Sequence, residues 1–231
     1  MLFALSLIVV CVAFIVLFQG HYAKRNALRL PEAIGARYYL GTGDRSLLHI
    51  GESTVAGVGA DKIEDGLTAS IVKTLEKQTG SKFDWQALGQ NGATIFDALS
   101  FHSAVSHPDI LVITFGVNDT TKFTSKAKWL KRLNACVHKF AGSNTQVFFT
   151  AIPPMDKFPL LPAPLSWLLG LRSSLLNHYL KKECGKNSWT HVQLDFESAS
   201  GLMAEDGYHP NSNGYKAWGE SIAMRICANR N

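Results

Sequence analysis

Four places in this chain set a chemically capable group beside a turn signal. Ser53 stands in Gly51-Glu52-Ser53-Thr54, directly after the short apolar stretch 46–50. A serine there can expose its hydroxyl. If a helical turn starts at Ser53, its own N–H points into the same space and can stabilise an oxyanion. The same serine would also serve as an ordinary helix cap. Gly57 and Gly59 beyond it would suit a phosphate loop, but neither GxxxxGKS nor GxGxxG is present. Gly92, in Gly89-Gln90-Asn91-Gly92, is either a turn glycine of an Asn-Gly pair or a Cβ-free position whose N–H can approach a substrate oxygen. Asn118, in Gly116-Val117-Asn118-Asp119, can cap a helix or donate its side-chain amide to an oxyanion. Asp206 and His209, in Asp206-Gly207-Tyr208-His209-Pro210, are three residues apart. That spacing brings carboxylate and imidazole to one side of a turn, where the acid can fix the tautomer while the other nitrogen takes a proton from serine. Taken alone, the pair would also fit a surface turn.

Such groups need a scaffold that brings them to one edge, and the hydrophobic patterning supplies one. Short apolar runs at 46–50, 83–88, 109–115, 145–152 and 190–194 read as strands. Amphipathic stretches at 64–78, 94–103, 126–140, 172–182 and 213–227 read as helices. The run 109–115 is continuously apolar, as a strand buried on both faces requires. Strand–helix alternation over the whole domain predicts a three-layer α/β/α, flavodoxin-like parallel sheet with strand order 2-1-3-4-5. In such a sheet ligands sit outside the carboxyl ends of the strands, and Ser53, Gly92 and Asn118 each follow a strand.

With these blocks in order, the chain resembles the SGNH (GDSL-like) hydrolase superfamily over residues 46–228. Ser53 matches the nucleophile, Gly92 the second-block glycine, Asn118 the third-block asparagine, and Asp206 and His209 the DxxH pair. The resemblance implies a Ser53–His209–Asp206 triad and an oxyanion hole made by the N–H groups of Ser53 and Gly92 and the amide of Asn118. It implies hydrolysis of acyl esters, with lysophospholipids or other lipid esters as the leading substrates and no cofactor or metal. Carbohydrate O-deacetylation, or a catalytically silent lipid- or glycan-binding module, is the alternative. The usual GDS is GES here: Glu52 replaces an aspartate that is not the nucleophile, a change expected to alter packing rather than mechanism. An α/β-hydrolase is disfavoured, because GxSxG is absent and acid and base share one segment.

Residues 2–18 form an uncharged, almost wholly apolar run. Such a run can just cross a bilayer core. No basic residue precedes it and no small-x-small site follows it, which favours an uncleaved transmembrane anchor over a cleaved signal. The expected organisation is an anchor at 1–20, a linker at 21–45 and the hydrolase domain at 46–231. Lys24, Arg25, Arg29 and Arg37 follow the run, which by the positive-inside rule faces the domain to the cytoplasm, with an exported domain as the alternative.

The segment 153–171 is rich in proline and large apolar residues. It reads as a loop that either straps the core or forms an acyl-chain wall from Phe158, Leu160, Leu161, Trp167 and Leu168. The net charge is +5, but the basic residues form no long run, so nucleic acid is not an expected partner. No CxxC, HExxH or close histidine pair is present, so no metal site is expected. Of four cysteines, Cys11 lies in the apolar run; Cys136, Cys184 and Cys227 are scattered and read as free thiols, with one bridge among them the alternative.

Overall fold

The computed structural model describes residues 2–193 and 201–229. Its elements are α1 (Leu2–Asn26), β1 (Tyr38–Tyr39), β2 (Arg45–Gly51), α2 (Leu67–Thr79), β3 (Phe83–Gly89), β4 (Ile110–Thr114), α3 (Val117–Thr121), α4 (Lys126–Phe140), β5 (Gln146–Thr150), α5 (Leu165–Lys186), β6 (Thr190–Val192) and α6 (Ser212–Ala228). The sheet order is β1-β3-β2-β4-β5-β6. Strands β3, β2, β4, β5 and β6 are mutually parallel, which gives the winding expected from the sequence. The sheet is mixed rather than wholly parallel, because β1 pairs antiparallel with β3 through Tyr38–Gln86 and Tyr39–Trp85. No apolar run announces a two-residue edge strand.

Central β4 is buried along its whole length. On one face, Leu67, Ile71 and Leu75 of α2 and Ile222 and Ile226 of α6 pack on Leu47, Val112 and Phe148. On the other, Trp129, Leu133 and Cys136 of α4 and Leu176 and Leu180 of α5 pack on Leu48, Leu111 and Phe149. These i, i+3 and i, i+4 spacings turn one stripe of each helix inward. All four cysteines are free; burial pushes the Cys136 and Cys184 thiols up to about 12.

Two expected elements differ. The helix expected at 94–103 is only a 3-10 turn, Asp97–Ser100. The Asp97 carboxylate accepts from both N and Oγ1 of Thr94, and Phe101 is already extended, so too few residues remain to repay helix nucleation. The helix expected at 172–182 begins earlier, at Leu165. Pro164 stands at its N-cap, where a missing N–H leaves no helical bond unmade. The end of the fifth expected strand, Leu194, lies outside the described residues.

The bilayer-crossing helix expected at the N-terminus is not supported. Among the described residues no helix is long and apolar enough to cross a membrane. The later turns of α1 pack against the domain instead. Gln19 Nε2 donates to the Ala163 carbonyl at 2.8 Å, and its Oε1 accepts from Leu165 N at 3.1 Å. Val16 packs against the cluster of Met155, Phe158, Leu165 and Leu169.

Candidate active site

The turn after β2 carries Ser53, which is 8% exposed. It faces the segment 201–211, which leads into α6. Asn211 caps that helix, its side-chain oxygen accepting from Gly214 N at 3.0 Å, and its amide donates back to Gly201 and Met203. This fixes the turn holding Asp206 and His209. Gly59 lets the turn come close: with φ +96, a Cβ there would meet the Pro210 carbonyl and the Cβ of His209.

The expected triad residues come together. His209 Nε2 lies 2.8 Å from Ser53 Oγ, and His209 Nδ1 lies 2.6 Å from Asp206 Oδ2. Asp206 Oδ1 also accepts from the N–H groups of Tyr208 and His209 at 3.0 and 3.1 Å. Burial pushes the Asp206 carboxyl up. The hydrogen bonds from the His209 ring and those two backbone donors outweigh it, and the net pKa lies below the ordinary value. An ionised acid on Nδ1 leaves the unprotonated Nε2 facing serine.

The expected oxyanion donors divide. Among the described residues, neither the Ser53 N–H nor the Gly92 N–H has a partner within the chain. Gly92 has φ +77, open space beside its Cα, and an exposed position. The Asn118 amide is already engaged. Its Nδ2 donates to Glu52 Oε2 at 2.6 Å and to the Ala93 carbonyl at 3.0 Å.

Glu52 is 3% exposed, and its carboxylate also accepts from Val117 N and Asn118 N, each at 3.0 Å. Burial pushes this carboxyl up to about 7 against those hydrogen bonds, and nearby Asp119 adds to the rise. Glu52 therefore does more than pack: its carboxylate holds the Asn118 amide.

The site opens into a cavity of about 590 Å³. Ser53, Asn118, Asp206 and His209 line it, together with Leu28, Leu30, Met155, Phe158, Leu161, Leu169 and Trp218. Of the five residues expected to form an acyl wall, only Phe158 and Leu161 line the cavity. Leu160, Trp167 and Leu168 are 54%, 68% and 37% exposed. The early start of α5 explains the split: Leu165 and Leu169 take the inward stripe, which leaves Trp167 and Leu168 on the outward side.

Three contributions had little signal in the sequence. Residues 27–30 line the cavity. Next to them, Glu32 accepts from Asn91 N at 2.6 Å, and Arg37 pairs with Glu32 at 2.6 Å while donating to the Gly89 carbonyl at 2.8 Å. The stretch read as a linker thus holds the loop that carries Gly92. Beneath the cavity, buried His49 bonds Thr68 Oγ1 and Thr114 Oγ1, each at 2.9 Å, and Thr150 joins Thr114 at 3.1 Å. Burial drives the His49 pKa down to about 3, so the ring is a neutral tie within the sheet. A histidine inside the apolar run Leu47–Ile50 was the available signal.

A serine, imidazole and carboxylate joined in series at the carboxyl edge of this α/β sheet define an ester hydrolase. The chain belongs to the GDSL-like lipase/acylhydrolase family, whose model matches residues 49–217. Solved structures share the fold. A lipase/acylhydrolase from Enterococcus faecalis superposes with TM-score 0.65 at 20% identity, covering 80% of this chain and 96% of that one. An acetylxylan esterase from Geobacillus stearothermophilus gives 0.62 at 16%, covering 80% and 94%. A psychrotrophic esterase from Pseudoalteromonas sp., inhibited by monoethylphosphonate, gives 0.59 at 19%, covering 81% and 100%. Among curated protein sequences nothing matches the chain.

Proposed function

We propose that this protein hydrolyses long-chain acyl esters, lysophospholipids or related lipid esters, through an acyl-enzyme on Ser53. The observation that carries this reading is the series Ser53–His209–Asp206 at the wall of a largely apolar cavity. His209 Nε2 takes the hydroxyl proton as Ser53 Oγ attacks the ester carbonyl. The N–H groups of Ser53 and Gly92 hold the resulting oxyanion. The protonated ring then gives its proton to the leaving alcohol. Water, activated by the same nitrogen, releases the acid and restores serine.

Leu28, Leu30, Phe158, Leu161 and Leu169 support an acyl chain as the cavity's occupant. Arg29 also lines the cavity and has no acidic partner among the described residues, which supports an anionic headgroup at the other end of the substrate. Exposed apolar residues on α1 (Phe14, Leu17, Phe18) and α5 (Trp167, Leu171), with Lys24 and Arg25 close by in sequence, support delivery from an anionic lipid surface. Lys24 and Arg25, in the last turn of α1, would meet the anionic headgroups of a cytoplasmic leaflet.

The test is turnover of esters of graded acyl length beside acetylated sugars, with fluorophosphonate labelling of Ser53. Each methylene buried adds about 0.8 kcal/mol of binding, so kcat/KM should climb with chain length until the cavity is filled. Leu161→Ser should flatten that climb, whereas Trp167→Ala should leave the slope unchanged. Turnover confined to acetylated sugars would replace the lipid reading with deacetylation. Absence of labelling and of turnover would leave a silent binding module.

A further inference from the structure

Glu52 is buried beside the site, and the acyl-transfer steps above do not use it. Its three hydrogen-bond partners, Val117 N, Asn118 N and Asn118 Nδ2, are all donors. No lysine or arginine pairs with it among the described residues. The first turn of α3 and the Asn118 side chain therefore hang on one carboxylate. The second Asn118 amide hydrogen rests on the Ala93 carbonyl, a neutral and replaceable acceptor.

Resting on the esterase reading, we propose that Glu52 is a positioning residue: its ionised carboxylate grips one amide hydrogen of Asn118 so that the other can pass from the Ala93 carbonyl to the oxyanion as it forms. Charge on Glu52 makes this grip strong, since a carboxylate accepts more strongly than a neutral acid. A protonated Glu52 would turn a hydroxyl toward a set of donors, and one of the three bonds would be lost. The carboxyl, pushed up to about 7 by burial, changes charge within the working range of a hydrolase.

Several charged groups face this corner from other elements. Asp119 of α3 raises the Glu52 pKa by its charge. Lys122, directly after α3, and Arg172 of α5 interact with Asp119. Asp206 and His209 line the same cavity from the C-terminal segment. None of these donates a hydrogen bond to Glu52.

The test uses the full chain. The pH profile of kcat should show a steep acid limb, with slope above one, because His209 must be neutral and Glu52 ionised together. Glu52→Gln should lower kcat about tenfold with KM unchanged, as the loss of one charge-assisted contact made through Asn118 would do, and reduce the limb to slope one. Glu52→Asp keeps the charge and should retain the steep limb. The second readout needs no turnover: in Ser53→Ala, the side-chain amide resonances of Asn118, assigned by their loss in Asn118→Ala, should move with pH through a midpoint near neutrality. That movement should vanish when Glu52→Gln is added. A slope of one in the unmutated chain, a Glu52→Gln profile like the parent's, or amide resonances indifferent to pH would overturn the proposal. An inert chain whose Asn118 amide still follows Glu52 would count against the esterase reading alone. If Glu52→Gln does not fold, the unmutated profile, Glu52→Asp and the resonances of Ser53→Ala decide.

Discussion

Two carboxylates flank Ser53 with nearly the same surface exposure, and they respond in opposite ways. Glu52, in the turn after β2, is 3% exposed; Asp206, in the turn before α6, is 2% exposed. Each accepts two backbone N–H groups and one side-chain donor. Asp206 lies below the ordinary aspartate value, whereas Glu52 is pushed up to about 7. The difference is depth, the third partner and the neighbourhood: Glu52 is more deeply enclosed by protein, whereas Asp206 lies nearer the cavity mouth. Asp206 meets an imidazole that becomes cationic during the reaction, so its charge is matched when it is needed. Glu52 meets a neutral amide and faces a second carboxylate, Asp119. The number of hydrogen bonds does not by itself decide whether a buried acid stays ionised; the depth of burial and the charge of its neighbours weigh as well.

The Asp206 side of the comparison predicts the largest effects. His209→Ala should lower kcat by about 10⁶-fold, and Asp206→Ala by about 10⁴-fold, since serine and its base act as a unit while the acid orients the base. Steady-state kinetics on a short activated ester measure both. Equal losses, or the reverse ranking, would break the assignment of Asp206 as the orienting acid. On the Glu52 side the effect is smaller. Asn118→Ala should lower kcat by about 10²-fold, near the lower end for an oxyanion donor, because its amide must first leave the Ala93 carbonyl. A change in KM alone would place Asn118 in substrate binding.

The same two corners show what a sequence can and cannot tell. Asp206 and His209 were legible because both members lie within one turn, where spacing alone predicts contact. Ser53 and Asn118 were legible because strand ends in a parallel sheet share an edge. Glu52 was visible but underread: its contacts depend on where α3 starts, which is not a periodic signal. The stretch 21–45 shows no sustained period, yet Glu32 and Arg37 brace the loop that carries Gly92. Individual long-range side-chain bonds of this kind leave no local pattern. The acyl wall was half legible for a related reason. The loop expected over 153–171 gives way to helix at Leu165, and the phase of α5, which turns Leu169 in and Trp167 out, depends on a helix start that apolar composition does not give.

The smallest effect separates the two carboxylates by stability. The Asp206 carboxyl is lowered on folding, so its contribution is present above the unfolded value of about 3.8 and is lost as pH falls through the lower folded value. Between pH 5 and 9 the difference in Tm between the parent and Asp206→Asn should therefore be flat. The Glu52 carboxyl is raised on folding, from 4.5 to about 7. The folded chain holds that proton more tightly than the unfolded one, so stability falls as pH climbs through this window and levels off above it. Glu52→Gln cannot ionise, and its Tm relative to the parent should rise across the window and then stay constant. At about 1.4 kcal/mol per pKa unit and about 2–4 °C per kcal/mol for a chain of this size, the relative rise is on the order of 7–14 °C. Thermal melts of the three proteins at matched ionic strength read both curves. A flat Glu52→Gln difference would mean that its three donors fully offset burial, and the two corners would then be electrostatically alike. A sloping Asp206→Asn difference between pH 5 and 7 would mean that Asp206 takes up a proton in the working range, which an acid that must hold His209 in one tautomer cannot do.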